Sequence, residues 1–250
     1  IIGSFEKKFG QFSLNGVIGA SINDKLVNSL RYDSKTASLK YANVFNVANI
    51  IMDGSAYIDQ QIDAHRQLQS LFATAQVGYK DIFFLDLTAR NDWSSTLAFT
   101  PNEKKGFFYP SVGGAWVMSK MFRLPEFISF GKLRAVWSKV GNDIPLYITN
   151  PVSHVGAGGE IEYADSAPFE NMKPEMTTSV ELGTEWRFLN DRISFSGTYY
   201  KTNTRNQFFK LPAKSGDKYA YRYVNAGDIQ NIGWEVSASA LPVVGKDFEW

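Results

Sequence analysis

From Phe12 onward the chain alternates apolar and polar positions with a period of two. The even positions read Phe12, Leu14, Gly16, Ile18, Ala20 and Ile22, and the odd positions between them read Ser13, Asn15, Val17, Gly19, Ser21 and Asn23. A residue period of two places one set on each face of an extended strand. The pattern returns in Leu71–Tyr79, Phe83–Ala89, Val112–Met118, Leu133–Trp137, Val180–Phe188, Ile193–Tyr199 and Ile232–Ala240, and a ninth strand is expected to begin at Phe248. The apolar rows carry no charge. The opposite rows carry Asp86, Arg90, Lys132, Arg134, Glu181, Glu185, Arg187, Arg192 and Glu235. A barrel wall in lipid sorts its residues this way, because a lysine or arginine on the lipid side costs about 2–4 kcal/mol near the midplane. A soluble two-sheet sandwich also alternates, so periodicity alone leaves both architectures open.

The connections separate them. Tight joins are expected at Tyr79-Lys80-Asp81 and Leu189-Asn190-Asp191, and moderate links over Ser119–Gly131 and Leu241–Asp247. Long connections fall over Asn23–Arg66, Asn91–Lys105, Gly141–Lys173 and Thr202–Asn231. Loops beyond about 12–15 residues are uncommon in compact domains, whereas outer-membrane barrels alternate short turns on one side with long loops on the other. A two-residue turn at Asn190-Asp191 would set Phe188 opposite Ile193, Trp186 opposite Phe195, Thr184 opposite Gly197 and Leu182 opposite Tyr199. Every partner then falls on one face, as register requires. Rings cluster near strand ends: Tyr79, Phe83, Trp186, Phe188 and Trp250 by the turns, and Phe107, Phe108, Tyr109, Tyr199 and Tyr200 nearer the loops. Such placement suits the two aromatic girdles of a membrane barrel.

Composition narrows the chemistry. Aromatic residues make up 15% of the 250, cysteine is absent, and 26 basic residues nearly balance 25 acidic ones. There is no basic footprint for nucleic acid, no thiolate chemistry, and no apolar run of the ~18 residues a membrane helix needs. His65 and His154 share no metal-ligand spacing. The pairs Asp86/Arg90 and Glu181/Glu185 could in principle hold a general acid and base, but read better as an ion ladder on a water-facing wall. The acidic run Glu160-Ile161-Glu162-Tyr163-Ala164-Asp165 reads as solvated charge and Gly156-Ala157-Gly158-Gly159 as loop slack. Asn91-Asp92-Trp93-Ser94-Ser95 and Gly141-Asn142-Asp143 have the side chains of strand-to-loop corners. No catalytic residue, metal site or cofactor is expected. Trp93, Tyr147, Tyr163, Phe169 and Tyr221, with Tyr219 and Tyr223, are the loop rings able to touch a ligand or a partner.

Several segments together resemble the barrel of SusC/RagA-type TonB-dependent outer-membrane transporters. These are Leu71–Asp81, Leu85–Leu97, Gly106–Val112 leading into Ala115-Trp116, Gly131–Asp143, Lys173–Glu185 with Arg192–Tyr200, and Asn225–Glu235. Phe12–Asn49 matches more faintly. The resemblance implies an all-β, antiparallel up-and-down transmembrane barrel of 22 strands, of which 1–250 would supply eight or nine with long extracellular loops. It further implies a Gram-negative outer-membrane setting and contact with lipid. It implies import of glycans or peptides with a SusD-like surface lipoprotein, energised through TonB. No segment resembles that family's plug, TonB box or closing strand, so 1–250 is expected to be part of the barrel alone. The alternative is a soluble β-sandwich that binds glycans; the two differ over whether Trp116, Trp186, Phe195 and Trp234 face outward or into a closed core.

Overall fold

The computed structural model describes residues 1–33, 38–51, 57–155 and 161–242. The expected ninth strand at Phe248, the ring of Trp250, and Gly156–Glu160 lie outside them. Among the described residues the chain forms one antiparallel sheet of nine strands: β1 (Ile2–Phe9), β2 (Phe12–Asp33), β3 (Tyr57–Tyr79), β4 (Phe83–Ser94), β5 (Phe107–Val117), β6 (Ile128–Asn142), β9 (Glu175–Phe188), β10 (Ile193–Pro212) and β11 (Tyr221–Ala240). Their spatial order is their chain order. The pair β7 (His154–Val155) and β8 (Ile161–Glu162) forms a small hairpin within the long connection between β6 and β9.

Each neighbouring pair keeps the alternation in phase. Leu14, Val77, Leu85, Gly114, Ala135, Leu182, Tyr199 and Trp234 stand opposite one another in succession across eight strands. The next residues on the other face run Asn15, Gln76, Asp86, Gly113, Val136, Glu181 and Tyr200. The first face is bare: Leu182 is 52% exposed and Trp234 74%. Among the described residues no second sheet covers it, which removes the sandwich. The second face is hydrogen-bonded. Gln76 donates to Asp86 (2.7 Å), Arg187 pairs with Glu185 (2.9 Å) and lies over the Phe130 ring, and Arg134 donates to Thr198 (2.8 Å). The expected ladder is therefore built from nearest partners. Arg90 bonds Asp92 and Ser70 and does not meet Asp86.

The structure also changes the expected element bounds. β1 was not expected, because Glu6, Lys7 and Lys8 interrupt the alternation. Lys7 lies on the apolar row, opposite Leu14, close to the turn at Gly10-Gln11, where its stem can run along apolar surface to water. Met118 does not extend β5 but opens a single helical turn, α1 (Met118–Met121), where the chain leaves the sheet. Of the rings expected nearer the loops, Phe107, Tyr109 and Tyr200 sit on the polar-row side, and Phe107 is buried in loop packing.

Two long connections turn out to be strand at both ends. β2 and β3 pair from Phe12↔Tyr79 as far as Asp33↔Tyr57, and β10 and β11 pair out to Pro212↔Tyr221. Because β1 reaches only Gly19 and β4 only Leu68, the β2–β3 ribbon rises beyond its neighbours. Short turns lie at one end of the sheet. Lys80-Asp81 carries positive φ at both central positions and is closed by Ile82 N–H donating to the Tyr79 carbonyl (2.9 Å).

Candidate functional site

Most of the buried residues gather at the long-loop end. Leu97, Phe107, Ile144 and Met172 form a small core, with Tyr109, Phe169 and Phe208 packed against it. Register parity sets its side of the sheet: Phe107 and Tyr109 lie opposite Asp92 and Arg90, and Phe208 alternates with the outer-row Phe209, so all three belong to the polar row. The connection after β6 therefore folds back over the polar face, inward at the mouth of the wall.

Its root is fixed at Asp143. The carboxylate receives the hydroxyls of Ser94 (2.7 Å) and Thr96, the backbone N–H of Ile144 (2.8 Å), and the guanidinium of Arg66 from the base of the β2–β3 ribbon. Thr149 Oγ1 donates to the Thr96 carbonyl (3.0 Å), and Asn102 Nδ2 to the Met172 carbonyl (2.9 Å). The returning end is clamped by Asn225, whose amide accepts from Lys173 N–H (2.8 Å) and donates to the Lys173 carbonyl (2.9 Å). The corners expected at Asn91–Ser95 and Gly141–Asp143 are thus bonded to each other.

Between these anchors the loop reaches β11. Tyr221 N–H donates to the Asp165 carbonyl (3.0 Å), and Ala167 N–H donates to the Tyr221 carbonyl (2.9 Å). Lys210 Nζ donates to Asp165 Oδ2 (3.0 Å) while lying 4.3 Å from the Tyr221 ring centre, and Ser166 Oγ donates to Asp165 Oδ1 (2.6 Å). The Ser166 hydroxyl and then Lys210 hold the Asp165 carboxyl below its ordinary range, and the same bond to Asp165 pushes the Lys210 ammonium up. The pair therefore stays ionised, and its charges cancel.

A recess of about 320 Å³ opens beside this pair, lined by Tyr147, Pro151, Val152, Tyr163, Asp165 and Tyr223 among others. Tyr163 is 80% exposed. Tyr147 is held at φ 63°, a conformation that favours glycine and that the surrounding loop must impose. Phe169 stacks on Tyr223 (6.4 Å) at the inner side. Of the five rings singled out from the sequence, Tyr147 and Tyr163 line this recess, while Phe169 and Tyr221 stand behind it, against Tyr223 and Lys210. Trp93 does not join them. It lies opposite Gln69 on the outer row, and its indole N–H donates to the Lys104 carbonyl (3.0 Å). Asp143, Arg66 and Lys210 were not singled out as site residues; strand parity carried to the loop ends is the signal that would have placed Arg66 and Lys210 on the inner side. Among the described residues no cluster of three potential metal ligands occurs.

A family model described as TonB dependent receptor-like, beta-barrel, matches residues 3–250. The chain is 30% identical over 197 residues to TonB-dependent receptor P26 of Formosa agariphila, covering 74% of this chain and 19% of that protein. It is 28% identical over 218 residues to TonB-dependent receptor SusC of Bacteroides thetaiotaomicron, covering 78% and 22%. The chain spans no more than about a quarter of the length of the curated relatives it matches. Among solved structures, the RagAB peptide importer in its closed-closed state superposes with a TM-score of 0.80 at 18% identity, covering 99% of this chain and 28% of that one. The ferric enterobactin receptor of Pseudomonas aeruginosa superposes at 0.57 and 17%, covering 94% and 32%.

Proposed function

The chain belongs to the TonB-dependent receptor-like β-barrel family, and from that premise we propose that it forms wall and mouth of an outer-membrane nutrient importer. The observation that carries this reading is the bare apolar row running in register across eight strands, backed by a hydrogen-bonded polar row. In water such a face is an aggregation surface; in lipid it is the required one. The outer edges of β1 and β11 need strand partners in a bilayer, where unpaired backbone groups cost several kcal/mol each. The described residues accordingly supply nine strands of a closed barrel whose total we put at 22. The plug and the segment that contacts TonB belong to the remaining length of the full protein.

The recess at Tyr147, Tyr163 and Tyr223 is our proposed contact for cargo or for a SusD-like surface lipoprotein. Phenol rings offer flat apolar faces with a hydroxyl at the tip, which suits glycans and peptides alike. The charge-balanced Asp165–Lys210 pair adds hydrogen-bonding atoms without net charge.

The test uses the full-length protein expressed in a Gram-negative host. It should fractionate with the outer membrane, migrate as a heat-modifiable barrel, and take up labelled oligosaccharide or peptide only when TonB is present. Tyr163→Ala should weaken capture roughly tenfold, the loss expected of one ring at a contact, while insertion is unchanged. Recovery of the full-length protein in the soluble fraction would overturn the membrane reading; unchanged capture by Tyr163→Ala would overturn only the recess.

A further inference from the structure

The outer row is not uniformly tall. Between β5 and β10 it drops along a diagonal of Gly114, Ala135, Thr184 and Gly197, with Leu133 opposite Thr184 and Leu182 opposite Ala135 standing at its sides. On one side Phe83 and Trp116 stack at 6.0 Å; on the other Tyr199 and Trp234 pack at 4.9 Å. The two ring pairs brace each other within the pair, so they stand as fixed pillars with a low floor between them. The recess so formed measures about 930 Å³, near the top of the ~300–1,000 Å³ that small-molecule pockets span. A Cβ added at Gly114 would meet nothing within 4 Å, and one at Gly197 would touch only Phe195 (3.6 Å) and Thr184 (3.8 Å). The floor is open on its outer side.

Taking the outer row as the lipid-facing one, as proposed above, we infer that this recess is a seat for the acyl chains of a glycerophospholipid. An unfilled hollow would leave its lining atoms without dispersion partners, and water finds no polar partners on such a floor. Polar groups are few: Thr184 Oγ1 turns to the Lys132 carbonyl of its own sheet (3.4 Å), and the Tyr199 phenol and the Trp116 and Trp234 indole N–H groups belong to the rings at the sides, so the floor itself asks for an occupant without hydrogen-bonding needs. A second barrel wall is a poor fit, because its own apolar row would meet the two ring pillars before reaching the floor. The recess also lies toward the short-turn end: Phe83 directly follows the Lys80-Asp81 turn and pairs with Trp116, two residues from Gly114. That height suits the upper part of an acyl chain whose headgroup sits at the turn-side interface.

The experiment reconstitutes the full-length protein in phosphatidylethanolamine–phosphatidylglycerol vesicles doped with a phospholipid bearing a photoreactive group on one acyl chain. Cross-linked peptides are then mapped by mass spectrometry. The expected result is several-fold heavier labelling of the Gly114–Trp116, Leu133–Ala135 and Gly197–Tyr199 segments than of Ile18–Ile22 or Leu71–Ala75 on the same outer row. Gly114→Leu, which grows a side chain into open space, should abolish the excess, and Gly197→Leu should reduce it. Even labelling along the whole wall, or an excess that persists in Gly114→Leu, would overturn the proposal. Heat-modifiable migration is scored in parallel for each protein, so a wild type that fails to insert indicts the membrane reading, and a variant that fails is replaced by Ala135→Leu.

Discussion

Asn190 and Asp191 hold φ at 56° and 65°, and Lys80 and Asp81 at 53° and 54°. Left-handed backbone at both central positions gives a turn whose twist matches that of the flanking strands, and asparagine and aspartate tolerate it better than other non-glycine residues. A β-branched side chain does not. Asn190→Val is expected to destabilise the barrel by about 1–2 kcal/mol, read by urea titration of the refolded full-length protein, with Asn190→Gly near neutral. This turn was legible in the sequence because residue type and strand register agreed on it, and the Phe188↔Ile193 and Leu182↔Tyr199 pairings are those the alternation demanded. Gly106 was less legible. It sits at φ 64°, where an added Cβ would lie 2.3 Å from the Asp92 carbonyl oxygen, a contact made where the β4–β5 connection rejoins the sheet and invisible to a local reading.

At the scale of elements, legibility stops where the bilayer does. Alternation marks a strand only while its two faces meet different surroundings. Beyond Ile22 on β2, and beyond about Thr202 on β10, both faces meet water or loop. The strands continue there with no periodic trace, which is why 22- and 20-residue elements read as short strands with long loops. The convergence of the loop rings was likewise hidden, since it depends on which way the β6–β9 connection turns. Asp143 decides that turn, gathering donors from β3, from β4, from the short 3-10 turn Ser95–Leu97 that follows β4, and from the backbone N–H of Ile144. Hydrogen bonds to a charged acceptor contribute about 1.5–3 kcal/mol each when well buried; with Arg66 partly exposed, a combined local loss of about 1–3 kcal/mol is expected for Asp143→Asn. Amide exchange over 144–149 and 163–169 should accelerate in that variant, while exchange in β9 and β10 stays as slow as in the wild type. Uniform exchange across loop and wall would show that Asp143 has no such local role.

For the whole molecule the decisive property is the contrast between faces. Leu182 on the outer row and Ser196 on the inner row lie on adjacent strands, three register positions apart along the wall. Leu182→Arg should cost about 2–4 kcal/mol of barrel stability. Ser196→Lys, facing Glu185, should change it by no more than about 0.5 kcal/mol. Equal costs for the two, measured by folding into vesicles, would contradict the assignment of lipid and water sides. The β2–β3 ribbon gives the mouth a second asymmetry: it stands above the rest of the rim, and its base residue Arg66 grips the carboxylate that roots the inward loop. Ribbon and loop thus share a fulcrum. Any displacement of the tall ribbon therefore strains the same ion pair that roots the loop carrying Tyr147 and Tyr163.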